Sequence, residues 1–205
     1  MTHGEILKIL QSVLYRTSVA RRIVAGIDLA GTEKKPTGVC ILEGMYHRSI
    51  IAFQDEEILE KVTSANPEII AIDAPLTIPA RGYERNVEKI MRSMGYRLLP
   101  PLLGGMRKLT QRGVKLHSEL KKRGFWTIEV HPLTSRKIMG MPERDINAIR
   151  RFFLSIGVRG DVEVKDLSIH EIDALTAAVV ALLHLEGLTT VVGDEEGYIV
   201  CPKLS

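Results

Sequence analysis

Four acidic residues each follow an isoleucine in segments that otherwise read as protein interior, and any fold of this chain must answer their charge. Ile27-Asp28 ends the apolar run Ile23-Val24-Ala25-Gly26, and Ile72-Asp73 ends Ile69-Ile70-Ala71. Ile128-Glu129 follows Phe125-Trp126-Thr127, and Ile172-Asp173 opens a long, almost wholly apolar stretch. Carboxylates are rarely buried unless they are paired or coordinate a metal. A fold that gathers these four would build a divalent-metal site.

The spacing of the apolar residues predicts the elements that carry these acids. Ile6, Leu7, Ile9, Leu10, Val13 and Leu14 give a helix over Glu5–Tyr15, part of an N-terminal extension spanning residues 1–20. Residues 21–205 are then one domain. Strands are expected at Ile23–Leu29, Val39–Leu42 and Ser49–Phe53 as an antiparallel meander, followed by a helix at Asp55–Ser64. The unbroken Ile69-Ile70-Ala71-Ile72 in a strand over Glu68–Asp73 calls for cover on both faces. A basic helical insertion at about 80–124 holds helices at Glu84–Met94 and Met106–Arg123, with Gly113 expected to kink the second. A strand at Phe125–Val130, short helices at Leu133–Met139 and Asp145–Ile156, a patternless Gly157–Lys165, a helix at Ile169–Leu185 and a hairpin of Thr189–Val192 with Tyr198–Cys201 complete the chain. The fold class is α/β: a mixed five-stranded sheet, three antiparallel strands and then parallel ones, with helices on both faces. Sites in open α/β sheets gather beyond the carboxyl ends of strands, and three of the four acids lie at or near such ends.

Composition narrows the function classes. The chain is 205 residues long and 45% hydrophobic, enough for a core without covalent staples, and no run of 18 uncharged apolar residues exists to span a membrane. Glu5 and Lys8 interrupt any signal-like region, and Cys40 with Cys201 are too few and too far apart for a disulfide framework or a zinc site, so a cytoplasmic protein is expected. The net charge of +3 conceals a split: Arg81–Gly124 holds twelve Lys/Arg against three acids, leaving the remainder net acidic. That favours a polyanionic partner over the middle of the chain, with a set of solvated, ion-paired helix faces as the competing account.

Each acid also has a structural account. Asp28 could form a turn ahead of Gly31, but two apolar residues intervene and favour a ligand. Asp73 could make an Asx turn before Ala74-Pro75. Alternation places Thr127, Glu129 and His131 on one strand face, which could simply be wet; His131 could support a ligand or cap a strand end. Ser168 and Glu171 have the spacing of a capping box, which explains Glu171 and leaves Asp173 among apolar neighbours with only the helix dipole for relief. His170 lies one turn before Asp173 on the same face, as a further ligand, a proton shuttle or an exposed first-turn residue. Gly31-Thr32 with Gly38 only hints at a phosphate loop, and no zinc spacing, nucleophile elbow or dinucleotide fingerprint is present.

The ordered set Gly26-Ile27-Asp28, Ile72-Asp73-Ala74-Pro75, Glu129-Val130-His131-Pro132 and Glu171-Ile172-Asp173-Ala174-Leu175-Thr176-Ala177-Ala178 resembles the family catalogued as domain of unknown function 429, described as predicted RNase H-like nucleases. The resemblance runs from about Ile23 to Pro202. It implies an RNase H-like sheet, with Asp28 as the first-strand metal ligand, Asp73 as the fourth-strand acid and Asp173 as the acid of the last helix. Glu129 matches the family's Glu-Val-x-Pro motif, and His170 stands where related enzymes often carry another acid.

The expected function is hydrolysis of phosphodiester bonds in nucleic acid, by two Mg²⁺ or Mn²⁺ ions roughly 4 Å apart held by Asp28, Asp73, Glu129 and Asp173, with His170 among the catalytic residues. Arg85, Arg107, Lys108 and Arg112 are the first candidates to hold the backbone. Exposed aromatics are scarce in the basic segment, which favours duplex or branched DNA or RNA over single strands. No membrane partner is expected, and a homodimer stays open. The alternatives are a nucleic-acid-binding module without catalysis and, less well supported, a nucleotide-binding phosphotransferase.

Overall fold

In the computed structural model, which describes residues 2–204, an N-terminal helix α1 (His3–Val19) precedes the meander β1 (Ile23–Asp28), β2 (Thr37–Glu43) and β3 (Tyr46–Ala52). Helix α2 (Asp55–Ser64) leads to β4 (Ile69–Asp73), and the insertion carries α3 (Asn86–Ser93) and α4 (Met106–Lys122). Then come β5 (Thr127–Glu129), α5 (Pro132–Ile138), α6 (Ile146–Ile156), β6 (Arg159–Gly160), α7 (Asp161–Val164), α8 (Ile169–Leu185) and the hairpin β7 (Thr189–Asp194) with β8 (Gly197–Pro202).

The sheet order is β5-β4-β1-β2-β3-β6, with β7-β8 separate. The meander pairs antiparallel, whereas β1–β4, β4–β5 and β3–β6 are parallel. The sheet thus has six strands rather than the expected five. The extra one, β6, is two residues long, too short to show any period in the sequence.

Two-residue alternation sorts the strands onto two cores. Val24, Cys40, Ile69 and Ala71 face α8, with α1 and α6 packed beyond it. Ala25, Ile27, Ile70 and Ile72 face α2 and α4 through Ile58, Val62, Leu116 and Leu120. Both faces are covered, as the Ile-Ile-Ala-Ile run requires. A third small core joins Val87 and Met91 of α3 to Ile199 and Cys201 of β8, which fixes the hairpin beside the insertion.

Helix α8 is buried along most of its length. Ile172, Leu175, Leu182 and Leu183 contribute roughly 1.5–3 kcal/mol each by burial, which outweighs the cost of seating a few polar groups at its first turn. The capping box of Ser168 and Glu171 starts the helix. It crosses the sheet in backbone contact: a β-carbon at Gly26 would collide with the Ala174 carbonyl, and one at Gly38 with the His170 carbonyl. Gly113 serves a similar purpose. It does not kink α4, which is continuous; a β-carbon there would lie 2.7 Å from the Pro75 carbonyl oxygen.

Candidate active site

Asp28 and Asp73 end adjacent parallel strands and are register partners. Alternation puts Asp28 on the face of Val24 and Gly26, and Asp73 on that of Ile69 and Ala71, so both carboxylates point toward α8. The close crossing of α8 brings its first turn onto them. His170 Nδ1 lies 2.6 Å from Asp28 Oδ2. Burial pushes the Asp28 carboxyl up to about 6, against the His170 hydrogen bond and with help from Asp173. Burial, then repulsion from Asp28 and Asp173, drives Asp73 well above the usual carboxylate range. Asp73 accepts no hydrogen bond and makes no ion pair among the described residues.

The other two acids are already answered by arginines. Asp173 pairs with Nη1 of Arg136, a buried side chain of α5 that also donates to Thr176 Oγ1 (3.1 Å) and to the Glu143 carbonyl (3.1 Å). Glu129 is on the wrong side of the sheet to join Asp28 and Asp73. It is the register partner of Ile72, whose side chain faces α4. Burial raises the Glu129 carboxyl while Arg85 pulls it down. The Arg85 fork reaches Oε2 at 2.8 Å and Oε1 at 2.6 Å, and the Leu76 N–H donates to Oε2 at 2.8 Å. Glu129 therefore ties the loop after β4 to β5, and its expected place among the metal ligands is corrected.

Two of the four expected backbone-holding cations are corrected as well. Arg85 is fully buried between Glu88 and Glu129. Burial opposes its charge, yet the two carboxylates hold its pKa above the ordinary arginine value. Arg112 is buried too, with Nε 2.7 Å from Asp55 Oδ1 and Nη groups donating to the Ala30 and Phe53 carbonyls. Neither side chain faces solvent, so a phosphate cannot reach them. Arg107 and Lys108 are exposed at the start of α4 and form no ion pair among the described residues. Their neighbours Met106 and Leu109 line a cleft of about 280 Å³ that also exposes Asp28, Asp73, Arg97 and His131. His131 caps α5, its Nδ1 2.7 Å from Thr134 Oγ1, and burial with Arg136 nearby lowers its pKa to about 4. It is thus a neutral hydrogen-bonding group.

The sequence reading missed Arg136 and Arg97. The available signal for Arg136 was positional: a helix opening at His131-Pro132 starts at the carboxyl end of β5, beside the other strand ends.

Among the described residues, no group of three His, Cys, Asp or Glu side chains converges as a metal-ligand set. What remains is the Asp28–Asp73 pair. Hard oxygen donors suit Mg²⁺ or Mn²⁺, and Mg²⁺ commonly takes only one or two carboxylates from a protein. The donor set fits one such ion between the strand ends. It does not fit a four-carboxylate cage for two, because Arg136 holds Asp173 and Glu129 lies across the sheet.

No family model matches the chain, and no curated protein does. Among solved structures it is similar to T. thermophilus RuvC in complex with a Holliday junction substrate, at 16% identity and a TM-score of 0.49, over 81% of this chain and 96% of that one. It is also similar to a second Thermus thermophilus RuvC structure, at 15% identity and a TM-score of 0.48, over 80% and 96% of the two chains.

Proposed function

We propose that this chain hydrolyses phosphodiester bonds in duplex or branched nucleic acid, with one divalent cation held by Asp28 and Asp73. The observation that carries this reading is the pairing of those two carboxylates at neighbouring strand ends, one of them without a partner among the described residues, in a cleft lined by Arg97 and by Met106 and Leu109, which flank Arg107 and Lys108. Uncompensated like charges in a half-buried site call for a cation. When bound, Mg²⁺ or Mn²⁺ supplies Lewis-acid charge at the scissile phosphate.

The chain's own residues do the rest. Arg107 and Lys108 hold backbone phosphates at the rim. Once Asp28 is ionised it accepts from His170 Nδ1–H and fixes the ring, so that Nε2 is left to take or give a proton. Arg136 neutralises Asp173 and lowers the negative charge that an incoming phosphate meets.

The test is cleavage of a panel of end-labelled DNA and RNA substrates in Mg²⁺ or Mn²⁺, with calorimetric metal binding alongside. Wild type should cleave and bind one ion, and D28N and D73N should lose both properties. Full cleavage by either variant would overturn the reading. The ion pairs on Asp173 and Glu129 favour one rival, binding without catalysis, which predicts salt-sensitive affinity indifferent to added metal.

A further inference from the structure

The cleft over Asp28 and Asp73 does not end at His131. It opens into a second groove of about 530 Å³ that shares Arg97, Leu98, Leu99 and His131 with it. Beyond that junction the groove is lined by Tyr96, Lys137 and Arg144, with Glu143 its one acid. Arg97, Lys137 and Arg144 are exposed and make no ion pair among the described residues. Along the groove these three cations face a single carboxylate, Glu143.

The groove is built onto the acidic centre rather than merely next to it. Arg136 and Lys137 are consecutive on α5: the first turns inward to Asp173, the second outward over the Tyr96 ring at 5.5 Å from its centroid. That contact holds the ammonium in place. Arg136 also donates to the Glu143 carbonyl, so the loop bearing Arg144 hangs from the same side chain that neutralises Asp173.

We propose that this groove binds the phosphodiester backbone of the strand flanking the cleaved bond, and that Lys137 and Arg144 are its phosphate contacts. The inference rests on the nuclease reading and extends it. An acidic centre repels a polyanion by itself, so the strand must be held by cations on its way out of the cleft. Arg107 and Lys108 serve at α4; Arg97, Lys137 and Arg144 serve along the groove. Glu143 sets a limit, since its charge opposes a second phosphate close by.

The test is fluorescence anisotropy with a labelled oligonucleotide, as single strand and as duplex, in EDTA so that no cation bridges the acids. Both side chains are exposed, so K137Q/R144Q should melt as wild type does. Affinity at low salt should fall about tenfold, and the slope of log K against log salt should become shallower by about 1.5, as expected for two lost phosphate contacts. E143Q should bind more tightly than wild type. Unchanged affinity and slope in K137Q/R144Q, with binding still lost in R107Q/K108Q, would overturn the groove alone. No binding by wild type would overturn both the groove and the nucleic-acid reading.

Discussion

Asp28 and Asp73 sit side by side across one strand pairing, yet among the described residues only Asp28 has a side-chain partner, the His170 ring at 2.6 Å. Asymmetry of this kind separates a site from a structural ion pair. Glu129 and Asp173 are each met by an arginine, whereas Asp73 has no hydrogen-bond or ion-pair partner among the described residues.

Arg136 should limit the number of cations bound. R136M leaves Asp173 without a counter-charge beside Asp28. In EDTA the variant should lose about 3 kcal/mol, the low end for breaking a buried pair, because Asp173 is partly exposed. Mn²⁺ should restore the loss, and calorimetry should count two ions where wild type takes one. A single ion in both proteins would show that the guanidinium does not set the count.

Glu129 and Asp73 should behave as opposites. E129Q strips a buried arginine of its main partner and should cost about 3–5 kcal/mol in urea unfolding, with Mn²⁺ affinity retained by the folded fraction. D73N removes a carboxylate that burial and repulsion disfavour. It should be more stable than wild type in EDTA and should lose the ion.

Two buried groups give acid profiles of opposite sign. Asp28 titrates near 6 in the folded chain against 3.8 unfolded, so the folded state holds more protons in that window and stability falls as pH rises through it, by about 3 kcal/mol. His47, lowered by burial to about 4 from 6.5, does the reverse: stability rises with pH between those values by about 3 kcal/mol. In EDTA the wild-type profile should be shallow where the windows overlap. H47L should expose the falling limb and D28N/D73N the rising one, as read by unfolding midpoints across pH. H47L should also gain about 1–3 kcal/mol at neutral pH, because neither ring nitrogen of the buried His47 has a partner among the described residues. A rising limb that survives in H47L would refute the assignment.

Cations of the basic segment should divide by exposure. R107Q/K108Q should weaken nucleic-acid binding and flatten its salt slope by about 1.5. R112M should leave the slope alone and lower the melting temperature, because its guanidinium ties Asp55 to the Ala30 and Phe53 carbonyls. Equal slopes for the two variants would mean that the rim does not contact phosphate.

Much of the architecture was legible because it follows from period and punctuation. The unbroken apolar runs of Ile23–Asp28 and Ile69–Asp73, the capping box at Ser168 and Glu171, and the apolar run after Asp173 placed the strands and the last helix. What was not legible was pairing across distance. Arg85 and Arg112 entered the count of basic residues with Arg107, although sequence alone does not show which cations turn inward. Their partners Glu129 and Asp55 lie 44 and 57 residues away. Glu129 looked like Asp73 in its local setting, an isoleucine before and an apolar residue after. Pairing one residue out of step, with Ile72 rather than Asp73, sent it to the other face. Arg136 sat in a short helix that the sequence placed, but nothing local showed that its side chain turns inward to Asp173, 37 residues away.

The crossing of α8 over Gly26 and Gly38 has one more consequence. The distance from His170 to Asp28 is governed by two residues with no functional group, through the absence of a methyl at each. A descendant of this chain could keep every acid and every histidine and still lose the proposed site by gaining a single alanine on the first strand. Searches for active relatives should therefore weigh those glycines alongside the carboxylates.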